Sequence, residues 1–401
     1  MPSYLADAYD VIVVGAGPAG SVAARLAAEQ GLSTLMIEKR QEIGAPVRCA
    51  EAVGAEVTKG YIDEDERWIN AHIDFYDITN SKGDFVRVPP TEHTWVVDRK
   101  VFDLELAHKA RRSGAQVLTS TAAVGLIKED TRVTGVKIRY FGAVKEVKAR
   151  LVIAADGTES QVARWAGLKT VPPMGDYYSG VQYLVGNLKG KIEPNVCEYH
   201  VGMDMAPGGY VWVFPKGEDV ANVGLVMTAD KSAEISPREY LDRFVRAKYG
   251  SPGIMSVVVG GIPATGALKR MVTDGLMTVG DAAHQADPLT AGGINLGMFG
   301  ADMAMQVGGK ALRDGDVSAG RLQEYERMWQ DRFGKQHAAL LQVRKMLTGM
   351  NQETLIGLIE TASTLPINEM TPAQVLVTLL KSHPRLLIEA RTLITTGLIL
   401  K

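Results

Sequence analysis

Gly15-Ala16-Gly17-Pro18-Ala19-Gly20 follows the unbroken apolar run Val11–Val14, and no other segment of the chain restricts its fold so tightly. A continuous apolar run is what a parallel strand buried on both faces requires. Gly15 permits a tight turn off that strand, Gly17 lets the backbone approach a pyrophosphate, and Gly20 lets the next helix pack close. The helix expected over 18–30 then presents free N–H groups and a positive dipole end to the phosphates. Leu35, Met36 and Ile37 form the next short strand, and Glu38 at its end can accept both ribose hydroxyls of an adenosine. This combination predicts dinucleotide binding.

The rest of the chain organises around that unit. Asp98 can cap a helix over 99–112, followed by a strand at 115–119. Segments 132–140 and 144–154 read as β and lead into Asp156-Gly157. From 177 to 268 the pattern changes to short alternating segments with Gly and Pro punctuation, which predicts a mainly antiparallel sheet. The longest uncharged stretch, Tyr249 to Leu268, belongs to it. Its glycines and prolines suit strand and turn rather than a membrane-spanning helix. A buried strand over 275–279 runs into Gly280-Asp281 and a long helix beginning near Gly292, and from 318 onward the pattern is helical. With no repeat and no low-complexity linker, the domains are expected to interleave. Residues 1–60, 95–170 and 269–320 would form a nucleotide-binding domain, 61–94 and 171–268 a substrate domain, and 321–401 a C-terminal helical region.

Composition narrows the function classes. A chain of 401 residues with 46% hydrophobic content can bury a large core, and a formal net charge of −2 leaves no basic field for nucleic acid. Two cysteines, Cys49 and Cys197, neither build a disulfide framework nor suffice for an iron–sulfur cluster. The seven histidines lack metal-ligand spacing, so no metal is expected. No basic segment followed by an apolar run opens the chain, and the reading is cytoplasmic.

Further candidates for chemistry lie downstream. Asp281 falls at the carboxyl end of a buried strand, where open α/β sheets bind ligands. The segment from Asp287 through Thr290-Ala291-Gly292-Gly293-Ile294 then enters a helix, whose N-terminus would stabilise negative charge on a bound ligand. Asp281 has the alternative of an ordinary helix cap, and His284 reads as structural support. In Pro207–Lys216, Tyr210, Trp212 and Phe214 recur with period two and share one strand face, with Val211 and Val213 on the other. They are either core packing or a flat apolar wall for a ligand. Cys49 is either a small buried hydrophobe or, with Arg48 lowering its pKa, a redox- or proton-active thiol.

The GAGPAG turn, the Asp156-Gly157 pair and the GDAAHQADPLTAGGI segment together resemble the flavoprotein family that includes the aromatic hydroxylases. Arg48-Cys49-Ala50-Glu51-Ala52 looks like the RCxEx segment of geranylgeranyl reductases, and Pro207–Lys216 matches their PxxYxWxFPK signature at every fixed position. The resemblance covers nearly the whole chain. It implies an α/β fold, α+β overall, with a Rossmann-like FAD-binding domain, a mainly antiparallel-sheet substrate domain and a C-terminal helical region. Together with the motifs, it implies an FAD site at Gly15, Gly17, Ala19, Gly20, Glu38, Lys39, Arg48, Cys49, Ala50, Ala52, Arg99, Ala123, Asp156, Gly157, Gly280, Asp281, Gly292, Gly293 and Ile294. Tyr210, Trp212 and Phe214 would face substrate, and Cys49 would take part in turnover. The family more often has Gly where this chain has Ala52 and Ala291.

The implied activity is saturation of geranylgeranyl chains of archaeal ether lipids by hydride from reduced flavin, the substrate being a geranylgeranylated glycerophospholipid, a geranylgeranyl diphosphate, or both. The electron donor would be ferredoxin, another reduced protein or a reduced nicotinamide, since only one dinucleotide fingerprint is present. The apolar runs after residue 366 would cap the channel or touch the inner face of the membrane. Lys335, His337, Arg344 and Lys345 could meet a lipid phosphate. A flavin monooxygenase would share the FAD motifs, but the Pro207–Lys216 match argues against it. An electron-transfer flavoprotein dehydrogenase would normally need a cysteine-ligated cluster. A non-enzymatic flavin-binding module would leave so large an apolar domain without use.

Overall fold

The computed structural model describes residues 2–367 together with Met370, Gln374, Val375, Thr378, Leu379 and Ser382. Its organising element is an eight-stranded sheet. Ala8–Val14 lies at the centre, pairing in parallel with Thr34–Ile37 on one side and Ala143–Ala154 on the other. Gln116–Leu118 extends the first side and Leu276–Thr278 the second, both in parallel. Val11, Ile12 and Val13 are fully buried because both faces of the sheet are covered, the Val11 and Val13 face by helices and the Ile12 face by Val133, Val136 and Ile138 of an antiparallel strand. The hairpin Thr121–Glu129 and Arg132–Tyr140 is folded antiparallel against Ala143–Ala154.

The helix Pro18–Glu29 packs on this sheet alongside Ile294–Asp314 and Arg99–Arg112. Small residues line this contact: Ala23, Ala24 and Ala27 share one apolar core with Ala301 and Ala304. Asp98 starts the helix Arg99–Arg112 as expected, its side chain accepting from the Lys100 amide.

A seven-stranded sheet forms the other layer, in the order Gly253–Pro263, Tyr177–Gly186, Ala221–Thr228, Tyr210–Pro215, Val196–His200, Phe75–Thr79 and Phe85–Val88. All neighbours are antiparallel except Val196–His200 with Phe75–Thr79. One face carries Val211, Val213, Tyr183 and Leu225 against Leu241, Val245 and Tyr249. Those last three come from Pro237–Tyr249, a helix inside the segment read as sheet. Its signal was present: Ser236 caps the Glu239 amide, and the apolar residues recur every fourth position. A three-stranded sheet of Ala52–Gly54, Thr94–Val97 and Ile69–Ile73 joins the two layers.

Helices Glu324–Trp329, Lys335–Gly349 and Gln352–Ser363 follow. Of the four basic residues read as able to meet a lipid phosphate, Lys335 and Lys345 are exposed, while Arg344 and His337 are turned inward. Arg344 is buried and spends its guanidinium on Asp176 (3.1 Å), the Tyr178 hydroxyl (3.2 Å) and the carbonyls of Gly175 (2.6 Å) and Ala264 (2.9 Å). His337 is buried against Trp329 and Phe333. The apolar runs expected to cap the channel lie largely outside the described residues.

Candidate active site

The turn after Val14 shows why its glycines are there. Gly15 has a φ of 107°, and a Cβ on it would stand 2.3 Å from the Ala155 carbonyl oxygen. A Cβ on Gly20 would meet the Gly15 oxygen at 1.9 Å, so the helix seats directly on the turn. Around Gly17 a Cβ would find nothing within 4 Å, which leaves the backbone open to a ligand. No side chain caps this helix, and none caps Ile294–Asp314, so both present bare N–H groups at their starts. Gly280 packs its backbone against Ala19 and Gly297, which brings the two helix starts together.

Both starts open on one cavity of about 1060 Å³. Every residue proposed from sequence lies on its wall, from Gly15, Gly17, Ala19 and Gly20 through Glu38, Lys39, Arg48, Cys49, Ala50, Ala52, Arg99 and Ala123. The wall continues with Asp156, Gly157, Gly280, Asp281, Gly292, Gly293 and Ile294, and with Tyr210, Trp212 and Phe214. Their individual roles remain a proposal, but the fold brings them to one place.

The donor set suits a dinucleotide. Glu38 accepts the Ala16 amide (3.1 Å) and the Arg40 amide (3.0 Å), which fixes its carboxylate beside the glycine turn. Asp156 accepts the Val162 amide through one oxygen, while the other is buried without a partner. Burial raises the Asp156 and Asp281 carboxyls above their usual range. Ala291 adopts a φ of 59°, a left-handed conformation that ordinarily favours glycine.

Two readings are settled by the environment of single residues. His284 is a structural tie, buried with Nε2 donating to the Thr170 carbonyl (2.9 Å) and Nδ1 accepting from the Thr265 hydroxyl (2.9 Å). Burial lowers it to about 4, so the ring is neutral. The Cys49 expectation needs correcting. Burial pushes the thiol up rather than down, and the guanidinium that opposes this belongs to Arg99, not Arg48. Arg48 turns outward to Glu159 at 3.6 Å. Sequence adjacency pointed at the wrong arginine.

Beyond Cys49 the cavity is apolar and aromatic. Tyr210, Trp212 and Phe214 face it while Val211 and Val213 pack on the far side of the sheet. Trp212 donates from Nε1 to Gln182 (3.1 Å), and the Tyr210 hydroxyl donates to the Thr290 carbonyl (2.5 Å). Tyr199, unmarked by any motif, stands at the centre, with its ring 5.5 Å from Tyr210, 5.3 Å from Phe214 and 5.9 Å from Tyr76. Tyr76 and Tyr178 also line the space, as do Leu347, Leu355, Leu358 and Ile359 from the helices Lys335–Gly349 and Gln352–Ser363.

Comparison with known proteins agrees with this geometry. Residues 10–181 match the FAD dependent oxidoreductase family and residues 176–262 the geranylgeranyl reductase catalytic domain. A digeranylgeranylglycerophospholipid reductase of Methanosarcina acetivorans is 41% identical over 394 residues, covering 96% of each chain. One from Methanococcoides burtonii is 39% identical over 396 residues, covering 98% of this chain and 97% of its own. The crystal structure of a geranylgeranyl bacteriochlorophyll reductase-like protein from Thermoplasma acidophilum superposes with a TM-score of 0.90 at 35% identity, covering 96% of this chain and 99% of that one. A flavin-dependent brominase shares the fold at a TM-score of 0.72 and 18% identity, over 93% of each chain. The chain belongs to the geranylgeranyl reductase family of FAD-dependent oxidoreductases.

Proposed function

We propose that this protein saturates the double bonds of geranylgeranyl chains on archaeal-type glycerophospholipids. The observation that carries the reading is the aromatic wall of Tyr76, Tyr199, Tyr210, Trp212 and Phe214, which shares one cavity with the dinucleotide-binding turn. An isolated trisubstituted alkene has no carbonyl to polarise, so positioning and exclusion of water must supply much of the catalysis.

The residues present fit FAD: Gly17 leaves room for the pyrophosphate, Glu38 for the ribose hydroxyls, and the start of Ile294–Asp314 for the flavin ring. Bound and reduced, that cofactor supplies the hydride. The protein does the rest. Flat aromatic faces hold the methyl-branched isoprenoid chain by apolar contact. The Tyr210–Thr290 hydrogen bond ties this wall to the loop that enters the helix Ile294–Asp314. Cys49 Sγ, with its titration raised, keeps its proton at neutral pH and is the proton-bearing group we assign to turnover. Anaerobic reduction of the holoprotein followed by mass spectrometry of an added geranylgeranyl lipid tests the reading.

Electrons would arrive from ferredoxin, another reduced protein or a transiently bound nicotinamide. No helix among the described residues is long and apolar enough to cross a membrane. A peripheral membrane contact is supported by the edge strand Gly253–Pro263. Ile254, Met255, Val257 and Val259 are exposed there, and the same strand continues into the cavity wall through Val258, Gly260 and Ile262. Sedimentation with lipid vesicles that Val257→Asp/Val259→Asp leaves unchanged would remove this contact.

A further inference from the structure

Two of the family-like segments carry charged residues with no role assigned so far: Glu51 in Arg48–Ala52, and Lys216 at the end of Pro207–Lys216. The fold joins them. Glu51 is 1% exposed and holds a φ of 76°, a conformation that a residue with a side chain keeps only when its surroundings enforce it. Its carboxylate accepts the Arg99 amide (2.8 Å) through one oxygen. The other oxygen accepts Lys216 Nζ (2.7 Å) and Asn222 Nδ2 (2.6 Å). Its own amide donates to Cys49 Sγ (3.2 Å), and its carbonyl accepts the Val97 amide (2.9 Å).

The donors come from both layers. Arg99 opens a helix on the nucleotide side. Lys216 directly follows the strand that carries Tyr210, Trp212 and Phe214, and Asn222 sits opposite Phe214 on the next strand. Asn222 also donates to the Ala50 carbonyl (3.2 Å), so the two residues flanking Ala50 and Ala50 itself are bound to this one cluster.

We propose that Glu51 and Lys216 are a positioning pair that holds the Cys49 thiol in register with the aromatic wall. Neither faces the alkene; both act through Cys49. Lys216 also neutralises a carboxylate two residues from the thiol, whose negative charge opposes formation of a thiolate. A pair that only glued the layers together would be needed for folding but would leave the thiol's titration alone.

That difference is measurable in the full-length holoprotein. The rate of Cys49 alkylation by iodoacetamide, followed by peptide mass mapping against pH, is compared among wild type, Lys216→Met, Lys216→Arg and Glu51→Gln; Cys197 is fully buried and serves as the internal control. Lys216→Met should move the thiol titration upward and Glu51→Gln downward. Each unit changes the rate at fixed pH below the titration point about tenfold. Lys216→Arg should recover most of what Lys216→Met loses. Unchanged alkylation profiles in both single variants, with native flavin spectra, would overturn the proposal. Should a single variant fail to fold for want of its partner, Glu51→Gln/Lys216→Met leaves no unpaired charge and carries the test. It should retain flavin but reduce lipid at least about tenfold more slowly at unchanged KM, and a wild-type kcat would overturn the proposal. The lipid arm rests on the proposed function; the alkylation arm does not, so failure of one reading is distinguishable from failure of the other.

Discussion

Trp212 lies flat over the glycine opposite it on the neighbouring strand, and this contact sets the depth of the aromatic wall. A Cβ added at Gly224 would stand 2.1 Å from Trp212 Cζ2, 2.4 Å from Cε2 and 2.8 Å from Cη2. Carbon atoms pack at roughly 3.5–4.0 Å, so Gly224→Ala must drive the indole more than about 1 Å into the cavity. Overpacking of this kind costs about 1–3 kcal/mol, and losing the Nε1–Gln182 hydrogen bond adds about 1 kcal/mol. The expected loss of stability is therefore about 2–4 kcal/mol. The strand that leads into the nucleotide turn belongs to the other sheet, so flavin content should be unchanged. Turnover should suffer more than stability alone explains, because a displacement of about 1 Å can cost on the order of a hundredfold in rate. Denaturant unfolding, flavin absorbance and lipid reduction measured on one preparation separate the three effects. Trp212→Phe placed on top of Gly224→Ala removes the clashing atoms and should restore most of the stability. A Gly224→Ala protein with wild-type stability and turnover would refute the role given to the indole.

Other expectations follow from single sites. Glu38→Arg should lose flavin on dialysis, because the carboxylate that meets the Ala16 and Arg40 amides is gone; full occupancy would remove Glu38 from the site. Cys49→Ser should still bleach its flavin with dithionite yet reduce lipid about tenfold to a thousandfold more slowly, with Cys49→Ala at least as impaired. Wild-type rates in both would make Cys49 packing only. His284 is depressed to about 4 from an ordinary 6.5. Between those values the unfolded chain binds a proton that the folded ring does not. Stability should thus fall as pH drops through this window, by about 3 kcal/mol in all. His284→Gln should flatten that part of a pH–stability profile, and an unchanged slope would contradict the assignment.

Much of this was legible because it is local. The Val11–Val14 run, the glycine turn and the Asp98 cap each act within a few residues, and all three appear where the sequence places them. The two faces of Tyr210–Pro215 could be assigned from strand periodicity alone. What could not be read depends on contacts between distant segments. Tyr76 and Tyr199 reach the wall through a parallel pairing of strands that nothing in either sequence announces. Arg99 rather than Arg48 faces Cys49 because the helix Arg99–Arg112 begins there, a tertiary fact. Lys216 and Glu51 are separated by 165 positions, and only the folded chain makes them neighbours. The helix Pro237–Tyr249 is different: its cap and spacing were visible, but the surrounding strand pattern obscured them.

The central claim is that one cavity brings reduced flavin and an isoprenoid chain together. Its most direct test is to reduce the purified holoprotein anaerobically, add a digeranylgeranyl glycerophospholipid, and follow the lipid by mass spectrometry. The account predicts that each saturated double bond adds the mass of one hydrogen molecule while the flavin is reoxidised in step. A flavin that reduces and stays reduced, beside a lipid of unchanged mass, would contradict it. So would a lipid that gains oxygen once air is admitted.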